Sequence, residues 1–235
     1  MISWLISIFI ITVATVAYTF KKIDLGGAIA GIILALIIWF GVGSQGLLAL
    51  AVFFVLGTFA TSWGKSKKIH YKLAQENDGK RGIVHVMANG SPALILSIFA
   101  LIFPSYQNQL GLMVMAGFAT ACSDTLSSEL GTVYGEKYIS IISFKPAKRG
   151  ADGAISIQGI LFGIFGSAAI GSISWIAGQN IRVFVLITVC GIFGNLMDSV
   201  LGASWQKRGW LNNHTVNLLS ICISLLMCIL VSHIM

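Results

Sequence analysis

Charge is scarce in this chain: 10% of its 235 residues are Asp, Glu, Lys or Arg, and only 8 residues are acidic. A water-soluble domain carries roughly a quarter charged residues, so the shortage excludes an ordinary soluble globule. Proline is nearly absent, at 3 residues, and no long linker or low-complexity tract divides the sequence, which argues for a single domain over 1–235. Cys122, Cys190, Cys222 and Cys228 fall in apolar stretches without the paired spacing of zinc sites or disulfide frameworks. There is no HExxH helix and no GxSxG elbow, which removes common metalloprotease and serine-hydrolase signatures. Gly64-Lys65-Ser66 fails as a phosphate loop, because Phe59 holds the required first glycine position and an apolar run precedes it.

What is abundant is hydrocarbon. Hydrophobic residues make up 56% of the chain and the mean hydropathy is +0.88, so the bilayer must be its solvent. A hydrocarbon core of about 30 Å takes roughly 20 residues per helical crossing. Apolar runs over 2–20, 25–42, 46–63, 83–103, 109–134, 153–177, 183–203 and 216–234 predict eight spans. The expected fold class is all-α, a polytopic transmembrane helical bundle. The first run lacks a basic lead and is followed by Lys21 and Lys22, so a retained helix is expected rather than a cleaved signal. Fourteen of the 15 Lys and Arg residues fall in the loops after runs one, three, five and seven, with Arg182 alone opposite. The positive-inside rule then places those loops in the cytoplasm and both termini outside. That topology accounts for the net charge of +7, which by itself establishes no ligand and calls for no nucleic acid.

Three acids, Asp124, Glu129 and Asp198, fall inside expected spans, where an ionised carboxylate is costly unless it is paired or wet. Each lies in the cytoplasmic half of its run, so all three can face one cavity open to the cytoplasm. Helical spacing sets Asp124 and Ser128 on one face and leaves Glu129 pointing elsewhere. The seventh run carries Asn195, Asp198, Gly202 and Gln206 as a polar stripe. Arg81, His85 and Asn89 recur every four residues ahead of Gly90-Ser91-Pro92, a combination expected to loosen the helix just inside the membrane. Between runs five and six, Lys145, Lys148 and Arg149 lead into Gly150 and Gly153. A glycine turn at a helix start can offer backbone N–H groups to a phosphate, although a topology-setting loop with a flexible turn reads equally well. Carboxylates, amides, hydroxyls and basic loops together suit Mg²⁺ and a phosphorylated substrate, and favour phosphoryl or nucleotidyl transfer over proton chemistry alone.

Four ordered motifs go further. They are Arg81 with Val86-Met87-Ala88-Asn89-Gly90, Ser123-Asp124-Thr125-Leu126-Ser127-Ser128-Glu129-Leu130-Gly131, Gly150-Ala151-Asp152-Gly153-Ala154-Ile155-Ser156, and Asp198-Ser199-Val200-Leu201-Gly202-Ala203 with Gln206. In these the chain resembles the integral-membrane family that contains plant phytyl-phosphate kinase and transmembrane protein 19. His85 stands where glutamine is expected, and Lys148-Arg149 replace a Pro-Val type of lead-in. The resemblance implies a membrane kinase that transfers a phosphoryl group from CTP or ATP to an isoprenoid monophosphate of the phytyl or geranylgeranyl kind, giving the diphosphate.

On that reading Asp124, Glu129 and Asp198 hold one or two Mg²⁺ ions, and Lys145, Lys148, Arg149 and the turn Gly150, Asp152 and Gly153 bind nucleotide phosphates. Asn89 and Arg81 orient the acceptor phosphate. His85, Ser123, Thr125, Ser128, Ser156, Asn195, Ser199 and Gln206 complete the binding surface. The expected partners are an isoprenoid phosphate lipid, a nucleotide and bilayer lipids, with no nucleic acid; a homodimer is compatible with the sequence but not specified by it. The expected location is the plasma membrane of a prokaryote, with the site facing the cytoplasm. A transporter or lipid flippase is the rival reading, since intramembrane acids and a broken helix also mark transport pathways. A non-catalytic membrane scaffold is a third.

Overall fold

A bilayer offers the backbone no hydrogen-bond partners, so an apolar chain of this kind satisfies its own N–H and C=O groups in helices. The computed structural model describes residues 2–75 and 79–232 and has that character. In chain order the helices are α1 (Ile2–Thr19), α2 (Leu25–Val42), α3 (Ser44–Ser62), the short α4 (Lys65–His70), α5 (Ile83–Ile102), α6 (Gln107–Tyr134), α7 (Ile157–Ile176), α8 (Ile181–Leu201) and α9 (Asn213–Ser232). A π-helical turn, Gly202–Gln206, continues α8, and two-residue strands β1 (Ile139–Ser140) and β2 (Ala154–Ile155) pair antiparallel ahead of α7.

Among the described residues, seven helical segments are long and apolar enough to cross a membrane: α2, α3, α5, Pro104–Tyr134, α7, Ile181–Gln206 and α9. They coincide with seven of the eight expected spans. The remaining one is α1, where the apolar stretch Trp4–Thr19 is shorter than the others. α1 is peripheral, with α2 as its main neighbour and Trp4, Leu5, Ile8 and Phe9 exposed on its outer side.

Local chemistry sets the helix ends. Asp24 begins α2 by accepting a hydrogen bond from the Gly27 N–H at 2.7 Å, and Ser156 begins α7 by accepting one from the Gly159 N–H at 3.1 Å. A single residue, Gly43 at φ 80°, separates α2 from α3, a backbone conformation only glycine adopts freely. Contrary to expectation, Gly90-Ser91-Pro92 does not loosen its helix: α5 runs unbroken through Pro92, which is buried. Neighbouring membrane helices allow the lost N–H bond to be tolerated.

The hub of the bundle is α6, which packs against α3, α5, α7, α8 and α9 and buries Val114, Met115, Ala116, Phe118, Ala119 and Cys122. At 28 residues it is about 42 Å long, more than the hydrocarbon core takes. Its last turns therefore project among the basic loops. Small residues bring α7 close, and a Cβ on Gly166 would lie 2.9 Å from the Cys122 carbonyl oxygen.

The basic loops converge at one end of the bundle. Lys22 Nζ donates to Ser62 Oγ at 2.9 Å, Ile23 bridges Arg81, and Trp63 Nε1 donates to the Tyr134 hydroxyl at 2.7 Å. At the other end Gln107 donates to the Gly41 carbonyl at 2.9 Å and Gln179 to Gln45 at 3.1 Å. The loop assignment made from charge alternation is thus reproduced as a physical sidedness of the fold.

Candidate active site at the basic end

Asp124 on α6 and Asp198 on α8 are neighbours whose carboxyl groups interact. Both are half-buried. Ser220 of α9 adds its hydroxyl, which donates to Asp198 Oδ1 at 3.3 Å. Two carboxylates that close need a proton between them or a cation beside them. Three helices, α6, α8 and α9, therefore bring one acidic pair and a hydroxyl together near the end where the basic loops gather.

Glu129 does not join the pair. It is buried and bound by Lys68 of α4 and by Gln75. Lys68 is itself 1% exposed, with further bonds from its Nζ to the carbonyls of Ala60 at 2.7 Å and Thr61 at 3.1 Å. This group anchors the loop after α3 onto α6. Among the described residues no cluster of three or more His, Cys, Asp and Glu could hold a metal ion. The three acids expected to share a metal thus divide into a pair and a separately neutralised third, as the five-residue offset between Asp124 and Glu129 on a regular helix requires.

The start of α5 and the residues leading into it carry a polar column. Asn89 is buried, with its Nδ2 on the His85 carbonyl at 3.0 Å and its Oδ1 without a partner. The His85 ring meets the ring of His214 at the start of α9, with centroids 5.0 Å apart. One turn earlier Arg81 is buried, its guanidinium 4.8 Å from the Phe53 ring centre and 5.8 Å from that of Phe54. Gly57 makes room for it, since a Cβ there would lie 2.1 Å from an Arg81 nitrogen. Among the described residues no carboxylate ion-pairs with it. Burial pulls its pKa down to about 10, against the opposing pull of Cys122 and Glu129, and it stays charged at neutral pH.

The basic loop before α7 is more structured than its sequence suggests. Arg149 donates to the carbonyls of Thr132 and Gly135, closing the C-terminus of α6, and stacks 4.4 Å from Tyr71 and 5.1 Å from Tyr138. Gly150 and Gly153 have φ of 74° and 69°. At Gly153 any Cβ would strike Ala203 and the Ser199 carbonyl, so the turn is docked on the end of α8. Gln206 Nε2 fastens it by donating to Asp152 Oδ1 at 3.0 Å. Ser156 is committed to its cap, which takes one of the N–H groups expected to be open to phosphate.

Lys145 and Lys148 are exposed, as is Ser128, whose hydroxyl donates to the Thr125 carbonyl at 3.2 Å. Thr125 is half-buried. Ser123 and Asn195 are buried on either side of Gly163, where a Cβ would lie 2.6 Å from Asn195 Nδ2 and 3.0 Å from Ser123 Oγ.

Lys68 and the stripe His214, Asn217, Ser220 and Ser224 on α9 lie outside the residues expected from sequence. The stripe was legible in its spacing of three, three and four residues. The burial of Lys68 had no signal, because lysines in a cytoplasmic loop are the ordinary topology marker.

Residues 8–225 match the integral membrane protein family DUF92. The chain belongs to this family. Similar DUF92-type proteins include an uncharacterised membrane protein of Methanocaldococcus jannaschii, 35% identical over 90% of this chain and 87% of that one. The chloroplast protein VTE6 of Arabidopsis thaliana is 33% identical over 87% of this chain and 63% of its own length, and the Arabidopsis protein PGR is 30% identical over 83% and 75%. No solved structure matches. In this DUF92 member the second and fourth of the motifs behind the family resemblance supply the carboxylate pair, the third packs on the fourth, and the first lies at the start of α5, which packs against α6 and α9.

Proposed function

We propose that the chain is a membrane kinase that transfers the terminal phosphoryl group of a nucleoside triphosphate, CTP or ATP, to an isoprenoid monophosphate. The observation that carries this reading is the Asp124–Asp198 pair, formed across α6 and α8 with the Ser220 hydroxyl of α9 beside it. Two carboxylates and a hydroxyl fit Mg²⁺, which takes one or two protein carboxylates and completes its shell with water and phosphate oxygens. When bound, the ion would neutralise charge on the transferring phosphoryl group. Asp124 and Asp198 would hold it, Ser220 would orient Asp198, and Glu129, already matched to Lys68, would serve the framework.

Arg81 and Asn89 would position the acceptor phosphate, whose oxygen attacks the terminal phosphorus. A P–O bond to the acceptor forms, the bond to the bridging oxygen breaks, and the electron pair leaves on the nucleoside diphosphate. A phosphate monoester is already anionic near neutral pH, so the step asks for no strong general base. Exposed Lys145 and Lys148 beside the Gly150 to Gly153 turn would receive the nucleotide phosphates. Support also comes from the resemblance to the family of plant phytyl-phosphate kinase and from the identity to VTE6. The site would face the cytoplasm, where nucleotide is available.

The test is turnover by purified protein supplied with Mg²⁺, CTP or ATP, and phytyl or geranylgeranyl monophosphate. The expected result is the diphosphate, abolished by Asp124→Asn. Absence of product with every donor and acceptor, alongside substrate uptake in proteoliposomes, would replace the kinase with a transporter.

A further inference from the structure

Arg81 also stands at the head of a cavity. Between α1, α2, α3 and α5 lies a space of about 150 Å³ walled almost wholly by apolar groups, among them Phe9, Gly31, Ala35, Phe53 and Phe54. Arg81 and His85 enter it from the basic end, while α1 forms its membrane-facing wall. That wall is the most lightly held helix of the bundle, since α2 is its main neighbour. Gly31 looks onto open space: a Cβ there would meet nothing within 4 Å.

We propose that this cavity receives the first isoprene unit of the lipid acceptor, with its phosphate drawn to Arg81 and the rest of the chain passing α1 into the bilayer. The inference rests on the acceptor being a lipid phosphate, as proposed above. A buried guanidinium set against the rings of Phe53 and Phe54, with no carboxylate ion-paired to it among the described residues, calls for an anion. The walls beside it call for hydrocarbon. An amphiphile with an anionic head and an apolar tail meets both demands at once, and neither a free nucleotide nor a neutral lipid does. A cavity of this size lined by apolar side chains holds roughly one benzene-sized group, which matches one isoprene unit and excludes a whole geranylgeranyl tail. Selection therefore falls on the unit next to the phosphate, and chain length beyond it matters little.

The test uses a geranylgeranyl monophosphate analogue carrying a diazirine on its first isoprene unit. The full chain in lipid nanodiscs is irradiated with it in the absence of nucleotide, and the labelled peptides are identified by mass spectrometry. Label is expected on the segments of α2 and α3 that carry Gly31, Phe53 and Phe54. Unlabelled geranylgeranyl monophosphate should compete and geranylgeraniol should not. Gly31→Leu, which fills the space with a better helix former, should lower labelling about tenfold, the effect of displacing roughly two buried methylenes. Arg81→Met should remove the preference for the phosphate over the alcohol. Label elsewhere, equal competition by a phospholipid, or labelling unchanged in Gly31→Leu would overturn the inference. Because no turnover is involved, labelling at these positions without kinase activity would overturn the kinase reading alone.

Discussion

Asp124 and Asp198 are placed against their own electrostatic interest, and that is what makes them informative. Asp198→Asn relieves the conflict between two adjacent carboxyl groups that cannot both ionise freely, so the variant should unfold at the same or a higher temperature in detergent. Its turnover should nevertheless fall by about 10²–10³-fold, the scale of losing a group that organises transition-state charge. A loss of both activity and thermal stability would make Asp198 a structural residue. Lys68 predicts the opposite pattern. Lys68→Met leaves the buried Glu129 carboxylate without its cation and should cost about 3–5 kcal/mol, read as a lowered unfolding temperature. Adding Glu129→Gln should recover most of it. Asp124 and Asp198 were legible as site residues because an acid in an apolar run is conspicuous. The partner of Glu129 was not, since 61 residues separate it from Lys68 and nothing local links the two.

At the scale of elements, the approach of α7 to α6 rests on glycine, and Gly166 is the sharpest case. A side chain there meets a backbone carbonyl, which cannot swing aside, so Gly166→Val should lower the unfolding temperature and weaken the Asp124–Asp198 contact by shifting α6. The end of α6 supplies a pH test. Tyr138 donates its hydroxyl to the Gly131 carbonyl at 2.7 Å. Burial is the larger influence on its pKa and raises it, with Arg149 opposing. A phenol whose folded pKa is raised contributes stability fully present below its unfolded pKa of about 10 and lost as pH climbs through the folded value. Thermal unfolding followed into the alkaline range should show that loss in the native chain and not in Tyr138→Phe. The sequence exposed the basic and glycine content of this loop but not its order. Arg149 folds back to close α6 and Gly153 docks on α8, and both contacts arise only when helices distant in sequence are brought together.

Across the whole molecule, hydropathy and charge alternation were enough to place seven of the eight expected spans, because a hydrocarbon slab of fixed thickness dictates both helix length and loop polarity. They said nothing of which helices touch, so the apolar cavity beside α1 and the hub position of α6 emerge only in three dimensions. Sidedness is the quantity on which the functional reading depends, since nucleotide is found in the cytoplasm. Lys148 is exposed at the basic end and Asn108 is exposed at the other. In intact cells a membrane-impermeant thiol reagent should therefore label Asn108→Cys directly and Lys148→Cys only after permeabilisation. None of the four native cysteines is exposed, which keeps the background low. α1 decides the remaining terminus. Its 18 residues reach about 27 Å, and Lys21 and Lys22 fix its last turn at the basic end. Its exposed Trp4 should then lie at the far side, and Trp4→Cys should label from outside together with Asn108→Cys. Labelling of Trp4→Cys from the cytoplasm would make α1 a surface helix and give the bundle seven crossings, with its termini on opposite sides.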